Sequence, residues 1–459
     1  MTDRRPGGVP ATARRRRRVP ASFLLGVAVG TVLGIVATLG WYVATREEPL
    51  EHGELVILSG KDTSSGGQRE ELVKLWNVLH PQSPARIREA PVTTDQQHSE
   101  MVGIAQAQAA GAGPDPDDEV DIYNLDVTFT AEFAAAGYLR PVDEARLAPG
   151  HLGAFVPEVL DTCRYRGSLW ALPFNTDAGL LFYRSDLVTG GAPAAPGGAP
   201  RFDWDAILDR SAALTGAGGA AQRPVAGYVG QFGPYEGLTV NGMELVWAGG
   251  VDRLVDETEN RVIFQRERWE RRLREVAAAR RAGLLVGDAF TVPGDEGRSL
   301  RDFQEGRALF MRNWPVNYRA LAATDAAPAS RVPFEVTRLP GPSALGGQNL
   351  AIAKQTRQPR AAQALIEFLT RQEAQRTLFT VGGFAPTRTD VYADAALRER
   401  FPYLALLGEA VREARARPRV PHYFQFSRVF REGVRTALEG DGTLPEDFEA
   451  RLNRALRGG

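Results

Sequence analysis

The chain has 459 residues, enough for two or three domains, and its 43% hydrophobic and 24% charged residues are those of an ordinary folded protein, which excludes a mainly disordered chain, a polytopic membrane protein and a fibrous repeat. One cysteine, Cys163, excludes an intrachain disulfide framework and a multi-cysteine zinc site. The net charge of -1 conceals an asymmetry: residues 1–20 hold seven arginines and one acid, +6, which leaves −7 for the rest. A mildly acidic body argues against nucleic acid as a partner, because phosphate binding needs a basic face.

Ala21 to Val43 carries no charge and follows five consecutive arginines, Arg14 to Arg18. A helix over this stretch spans about 34 Å, enough for a hydrocarbon core of about 30 Å. Trp41 and Tyr42 stand at its far end, where aromatic rings favour the interface, and the arginines favour the cytoplasmic side. The run therefore predicts a single N-terminal transmembrane anchor with a short basic cytoplasmic segment (1–20) and the body outside the cytoplasm. A cleaved signal peptide is the alternative, but its apolar region is usually about 7–15 residues and ends at a small-x-small site.

Beyond a short polar tether, Arg46 to Gly53, Glu54 to Leu58 reads as a buried strand and Ser59-Gly60 as its turn. Leu72, Leu75, Trp76 and Leu79 fall at helical spacing, stopped by Pro81. Ala85 to Ala90 reads as a second strand, Gln96 to Ala110 as a helix, Val120 to Leu125 as a third strand and Thr130 to Ala136 as a helix. Such alternation predicts an α/β domain with a mostly parallel sheet. Gly179 to Tyr183 is strand-like, 190–200 is a low-complexity loop, and Trp204 to Leu214, Glu267 to Ala282 and Arg360 to Thr370 are helical. The last 60 residues read as helical and arginine-rich.

The sequence has no nucleophile elbow, no phosphate-binding loop and no dinucleotide fingerprint. Asp115-x-Asp117-x-Glu119 resembles the start of a calcium loop, but Val120 replaces the required glycine and Asp126 the usual glutamate. No metal or other cofactor is expected.

Four segments carry the specific signal: Asp121 to Asp126 with Glu132 to Leu139; Leu169-Trp-Ala-Leu-Pro-Phe-Asn-Thr-Asp177 on to Arg184; Gly306-Arg-Ala-Leu-Phe-Met-Arg-Asn-Trp314; and Gly346-Gly-Gln-Asn-Leu-Ala-Ile-Ala-Lys354 with the following helix. In order and spacing they resemble family 1 extracellular solute-binding proteins of carbohydrate ABC importers, nearest the maltose- and trehalose-binding group. The resemblance covers nearly all of the chain from about Glu54. It implies a two-lobe periplasmic-binding-protein-like fold (type II) with a hinge and an interlobe cleft. On it, lobe one is expected over 53–175 plus 340–380 and lobe two over 178–336 plus 386–459. Crossings are expected near Phe174–Ala178, Glu335–Gly341 and Phe379–Pro386.

The residues themselves fit a sugar cleft. A carboxylate can accept from two hydroxyls at once. Asp126 ends an apolar strand, where open α/β sheets place ligands; capping the next helix is the alternative and is compatible with that role. Asp177, with Asn175 and Thr176, matches the family's P-x-x-T-D pattern; a plain turn aspartate is the alternative. Trp314, before Pro315, offers a flat ring for stacking, or packs in the core. Gly347, after Gly346, lets backbone approach a ligand, with Gln348 and Asn349 beside it. Where the family often has an aromatic after the glycine pair, this chain has Gln348. Tyr235, Glu236 and Asn241 resemble a Y-E-G-L segment on the lobe-two wall, and Asp62 and Arg388 complete the candidate rim.

The expected function is capture of a di- or oligosaccharide for ABC permease subunits by a monomer, membrane-anchored and not an enzyme. Two alternatives stay open: a glycoside hydrolase using Asp126 and Asp177, and a sensor or scaffold that keeps the fold.

Overall fold

The computed structural model describes residues 49–62, 66–90, 94–111, 119–188, 200–215, 224–291, 295–322 and 332–459. The anchor expected over Ala21–Val43 lies outside these residues, as do Asp115 and Asp117. Among the described residues no helix is long and apolar enough to cross a membrane.

Two sheets organise residues 51–459. In the first, β1 (Leu55–Gly60) is buried along its whole length and pairs in parallel with β2 (Ala85–Ala90) and β3 (Ile122–Asp126). Its unbroken apolar run is what a strand covered on both faces requires. Helices α1 (Gln68–Leu79) and α2 (Thr94–Ala109) make the crossovers. The face expected for α1 is corrected by one step. Arg69, Leu72, Val73 and Trp76, with Gln68, are buried, while Leu75, Val78 and Leu79 stay exposed. The stripe keeps its helical spacing but starts at Arg69, whose guanidinium lies over Phe384 (4.9 Å) and Phe174 (5.6 Å), so a charged residue occupies the inner face.

The sheet continues through β10 (Ala344–Ala353), antiparallel to β3 and, over nearly its full length, to β5 (Ala171–Ala178). β4 (Leu139–Arg140) and β11 (Arg415–Ala416) add to its two ends. β5 then runs through Gly179 directly into β6 (Leu180–Arg184) of the second sheet. That sheet has the order β9 (Phe334–Arg338), β6, β8 (Ala308–Asn313), β7 (Ala226–Val229). The chain returns between β9 and β10. Where the two crossings meet, the Gly179 N–H donates to Ser343 Oγ at 2.6 Å. A third contact between strands lies at Ala385, bridged to Thr176.

Helices cover the second sheet. Glu236–Ala248 (α3) is buried at every residue but its last, and packs on Arg266–Arg281 (α4) and Tyr423–Glu439 (α5). The charged helix α4 hides one stripe, Trp269, Leu273, Val276 and Ala277. Trp269 meets Phe430 and Phe448 edge-on, and truncating such a ring typically costs about 3–5 kcal/mol.

Candidate functional site: the cleft between the two sheets

The strand ends of both sheets and the start of α3 converge on one polar region. Asp126 is the last residue of β3, at the carboxyl end of a parallel strand. Its Oδ1 accepts from the Thr128 N–H (3.0 Å), the Thr128 hydroxyl (2.7 Å) and Arg417 (2.9 Å). The bond to Thr128 fixes a local turn, and the helix from Thr130 takes no cap from this side chain. Opposite, Glu236 opens α3 and accepts from Arg417 (2.7 Å), the Tyr423 hydroxyl (2.6 Å) and the Ser427 hydroxyl. Arg417 therefore joins a carboxylate of the first sheet to one on the second sheet's helix, with its side chain 3% exposed. Burial alone would push its pKa down; Asp126, Tyr423 and Glu236 outweigh it and hold the guanidinium charged.

Asp177 sits on β5 opposite Gly346 of β10. Its Oδ1 is buried and accepts no hydrogen bond. Burial pushes its carboxyl up to about 7, against the pull of Arg69 and Arg312, with Asp126 and Glu296 adding to the rise. Trp314, just past the end of β8, brings the edge of its ring to Gly346, where an added Cβ would lie 3.3 Å from it. The indole N–H donates to Glu296 at 3.2 Å, and the Arg312 guanidinium covers one face of the ring at 3.8 Å. Gly347 has φ 120°, and a Cβ there would lie 2.2 Å from the Asn175 carbonyl oxygen, so glycine is required. Gln348 accepts from Arg69 at 2.7 Å. The fully enclosed Asn175 lies on β5 opposite Gln348, and its amide oxygen also lacks a partner. Asp62, just past β1, raises the Arg69 pKa electrostatically, although burial of Arg69 wins and lowers it. Tyr235, the residue before α3, has its hydroxyl held neutral by burial and by Glu296.

Three expected site residues are not part of this arrangement. Asn241 lies inside α3 and bonds Gln231 and the Gly237 carbonyl, closing the loop before the helix. Asn349 alternates to the face of β10 opposite Gln348 and is fully buried, donating to Thr130 and Thr162. Arg388 forms a fork with Asp390 and lies near Phe155, beside the turn at His151. Sequence reading missed Arg69, Arg417, Tyr423, Arg312 and Glu296. The rim also closes: Arg431 of α5 pairs with Asp95 of α2 (2.6 Å), and Phe424 stacks on His98 at 4.3 Å. Among the described residues no group of side chains could hold a metal ion.

The arrangement offers a polar solute unpartnered acceptors and a half-buried aromatic ring, and comparison with known proteins agrees. The family model described as "bacterial extracellular solute-binding protein" matches residues 90–400, about two thirds of the chain. A "probable ABC transporter-binding protein" of Deinococcus radiodurans is 26% identical over 348 residues, 73% of this chain and 80% of that protein. The maltose-bound MalE3 of T. maritima is similar with TM-score 0.71 and 28% identity, over 88% of this chain and 99% of that one. The GacH receptor of Streptomyces glaucescens, solved unliganded and with acarbose, has TM-score 0.70 and 20% identity, over 89% and 98%. The matched family and proteins are named for solute, transporter or maltose binding, which counts against the hydrolase alternative. Two α/β domains, an extracytoplasmic setting and the absence of bond chemistry all follow from that membership: the chain belongs to the bacterial extracellular solute-binding proteins.

Proposed function

We propose that this protein captures a sugar of the maltose class in the cleft and delivers it to the permease subunits of an ABC importer. The observation that carries the reading is Trp314, one face backed by Arg312 and its edge against Gly346, beside the unsatisfied carboxyl of Asp177. A stacked ring face and an acceptor for hydroxyls are the two things a pyranose needs. The maltose-bound relative of similar fold supports the ligand class. Asp126 serves with Arg417 as a paired wall, and Asn175, Gln348, Asp62, Tyr235 and Glu236 frame it. The lobes are taken as 53–175 plus 340–380 and 178–336 plus 386–459; the crossings at Gly179 and Ser343 and most sheet strands support that division, while β11 lies in the second stretch and pairs with β10 of the first sheet. The uncharged run Ala21–Val43 anchors the protein, as a monomer, in the membrane.

A thermal-shift panel of maltose, trehalose, maltotriose and simple polyols tests this. At 100 times its dissociation constant a ligand adds about 2.7 kcal/mol. A shift with a maltose-type sugar, without hydrolysis and lost in Trp314→Ala, is expected. No shift with any sugar in the panel would refute the assignment.

A further inference from the structure

Against Trp314 lies a buried ion pair, Arg312 with Glu244. The Arg312 side chain is 1% exposed and forks onto Glu244, Nε to Oε2 at 3.0 Å and a terminal nitrogen to Oε1 at 2.7 Å. Its other terminal nitrogen donates to Gln231 at 3.2 Å, and Gln231 returns a bond to the Arg312 carbonyl at 2.9 Å. The guanidinium cannot slide out of this frame without breaking several charge-assisted bonds.

Each side of the pair touches something that moves or binds. On one side, the guanidinium plane backs the Trp314 ring at 3.8 Å. On the other, it occupies the space that a side chain at residue 179 would need: a Cβ there would lie 2.7 Å from an Arg312 nitrogen, so the first crossing is a glycine at its point of contact with the pair. Glu244 Oε1 also accepts the Ala344 N–H at 3.0 Å, the first residue of β10 and the end of the second crossing. The two crossings are tied to one another by Gly179 and Ser343. One ion pair thus touches the aromatic platform and both chain passages between the sheets.

We propose that Arg312 and Glu244 are positioning residues that couple Trp314 to the hinge. A sugar ring laid against Trp314 presses the platform onto the guanidinium, and the pair passes that restraint to Gly179 and Ala344. The ligand then favours lobe closure through a rigid contact, beyond the bonds it makes to each wall. The sugar arm of this inference rests on the function proposed above. A lobe-two packing role alone does not explain the contacts to both crossings.

The test uses the full chain with the paired change Arg312→Met and Glu244→Gln, which removes both charges together and avoids leaving one buried alone. Labels at Val78→Cys and Thr436→Cys, both exposed, report the interlobe distance; the native Cys163 is buried. In the protein without sugar, the distance distribution is expected to broaden toward longer values in the paired variant. In a double-mutant cycle on maltose affinity, Trp314→Ala is expected to cost at least tenfold in the parent and less than threefold in the paired variant. An unchanged distance distribution, or an equal cost of Trp314→Ala in both backgrounds, would overturn the coupling. Arg312→Lys alone, which keeps both charges but loses the fork and the planar backing of Trp314, gives the same comparison should the paired variant fold poorly. If the parent binds no sugar, the proposed ligand class fails, while the sugar-free distances still decide the coupling.

Discussion

Asp177→Asn should stabilise the ligand-free protein at high pH and leave it unchanged at low pH. The Asp177 side chain is half-buried, its Oδ1 is buried with no donor, and burial raises its pKa from 3.8 to about 7. The folded state therefore holds the proton more tightly than the unfolded chain. The stability tied to that proton is fully present below the unfolded value and is lost as pH rises through about 7. A rise of about three units corresponds to about 4 kcal/mol, since each unit is about 1.4 kcal/mol. Asparagine is a neutral isostere that escapes this loss. For the 409 residues from Glu51 to Gly459, an unfolding entropy of about 2.1 cal/mol/K per residue gives about 0.9 kcal/mol per kelvin. The variant should melt about 5 °C above the parent at pH 8, about half that near pH 5.5, and together with it near pH 4. Thermal unfolding followed by circular dichroism across that range is the assay. Parallel curves for the two proteins at every pH would refute the claim that Asp177 titrates out of place, whatever their offset.

Three further outcomes follow from the same geometry. Gly347→Ala should lose at least about 2 kcal/mol in a denaturant titration, because it places a Cβ against the Asn175 carbonyl at a positive φ; a loss under about 0.5 kcal/mol would contradict the strain. Arg417→Met should cost about 3–5 kcal/mol by leaving Asp126 and Glu236 uncompensated, and adding Glu236→Gln should restore part of it; a variant as stable as the parent would show that the bridge contributes nothing. Cys163 is fully buried and its thiol is pushed up by that burial, so an aromatic disulfide reagent should modify it only after denaturation, and rapid colour release from the native protein would contradict this.

The parts of the fold readable from sequence were those with their own periodicity. β1, β2 and β3 lie within two residues of where their apolar runs put them, and the helix Trp204–Leu214 has the bounds its pattern gave. β10 was not readable as a strand. Gly346 and Gly347 broke its alternation, and only the partner strands explain them: glycine is there because β5 passes too close for a side chain. The same strand explains why Gln348 joins the cleft and Asn349 leaves it. Arg417 stood among many arginines near the C-terminus, and nothing local distinguishes the one that meets Asp126 across 291 positions. Arg69 was hidden for the opposite reason. A charge at the start of an amphipathic stripe reads as solvent-facing until the tertiary fold supplies Ser59, Gln348 and two aromatic rings around it. Asp126, Asp177 and Trp314 stood out in the sequence because their residue types suit sugars and their segments resemble a family. Their partners lacked both signals.

β10 also bears on the order in which the molecule can assemble. It supplies one edge to β3 and the other to β5, and links β4 and β11 to the sheet. A chain emerging from its N-terminus has β1, β2 and β3 long before Ala344 arrives, and until then β3 and β5 present bare hydrogen-bonding edges. The first sheet therefore closes late and through distant contacts, which is slow and exposes the nascent chain to aggregation. Any fragment that stops before residue 344 lacks the spine of its first domain, so the two halves of this protein are not separable folding units even though each has a sheet of its own.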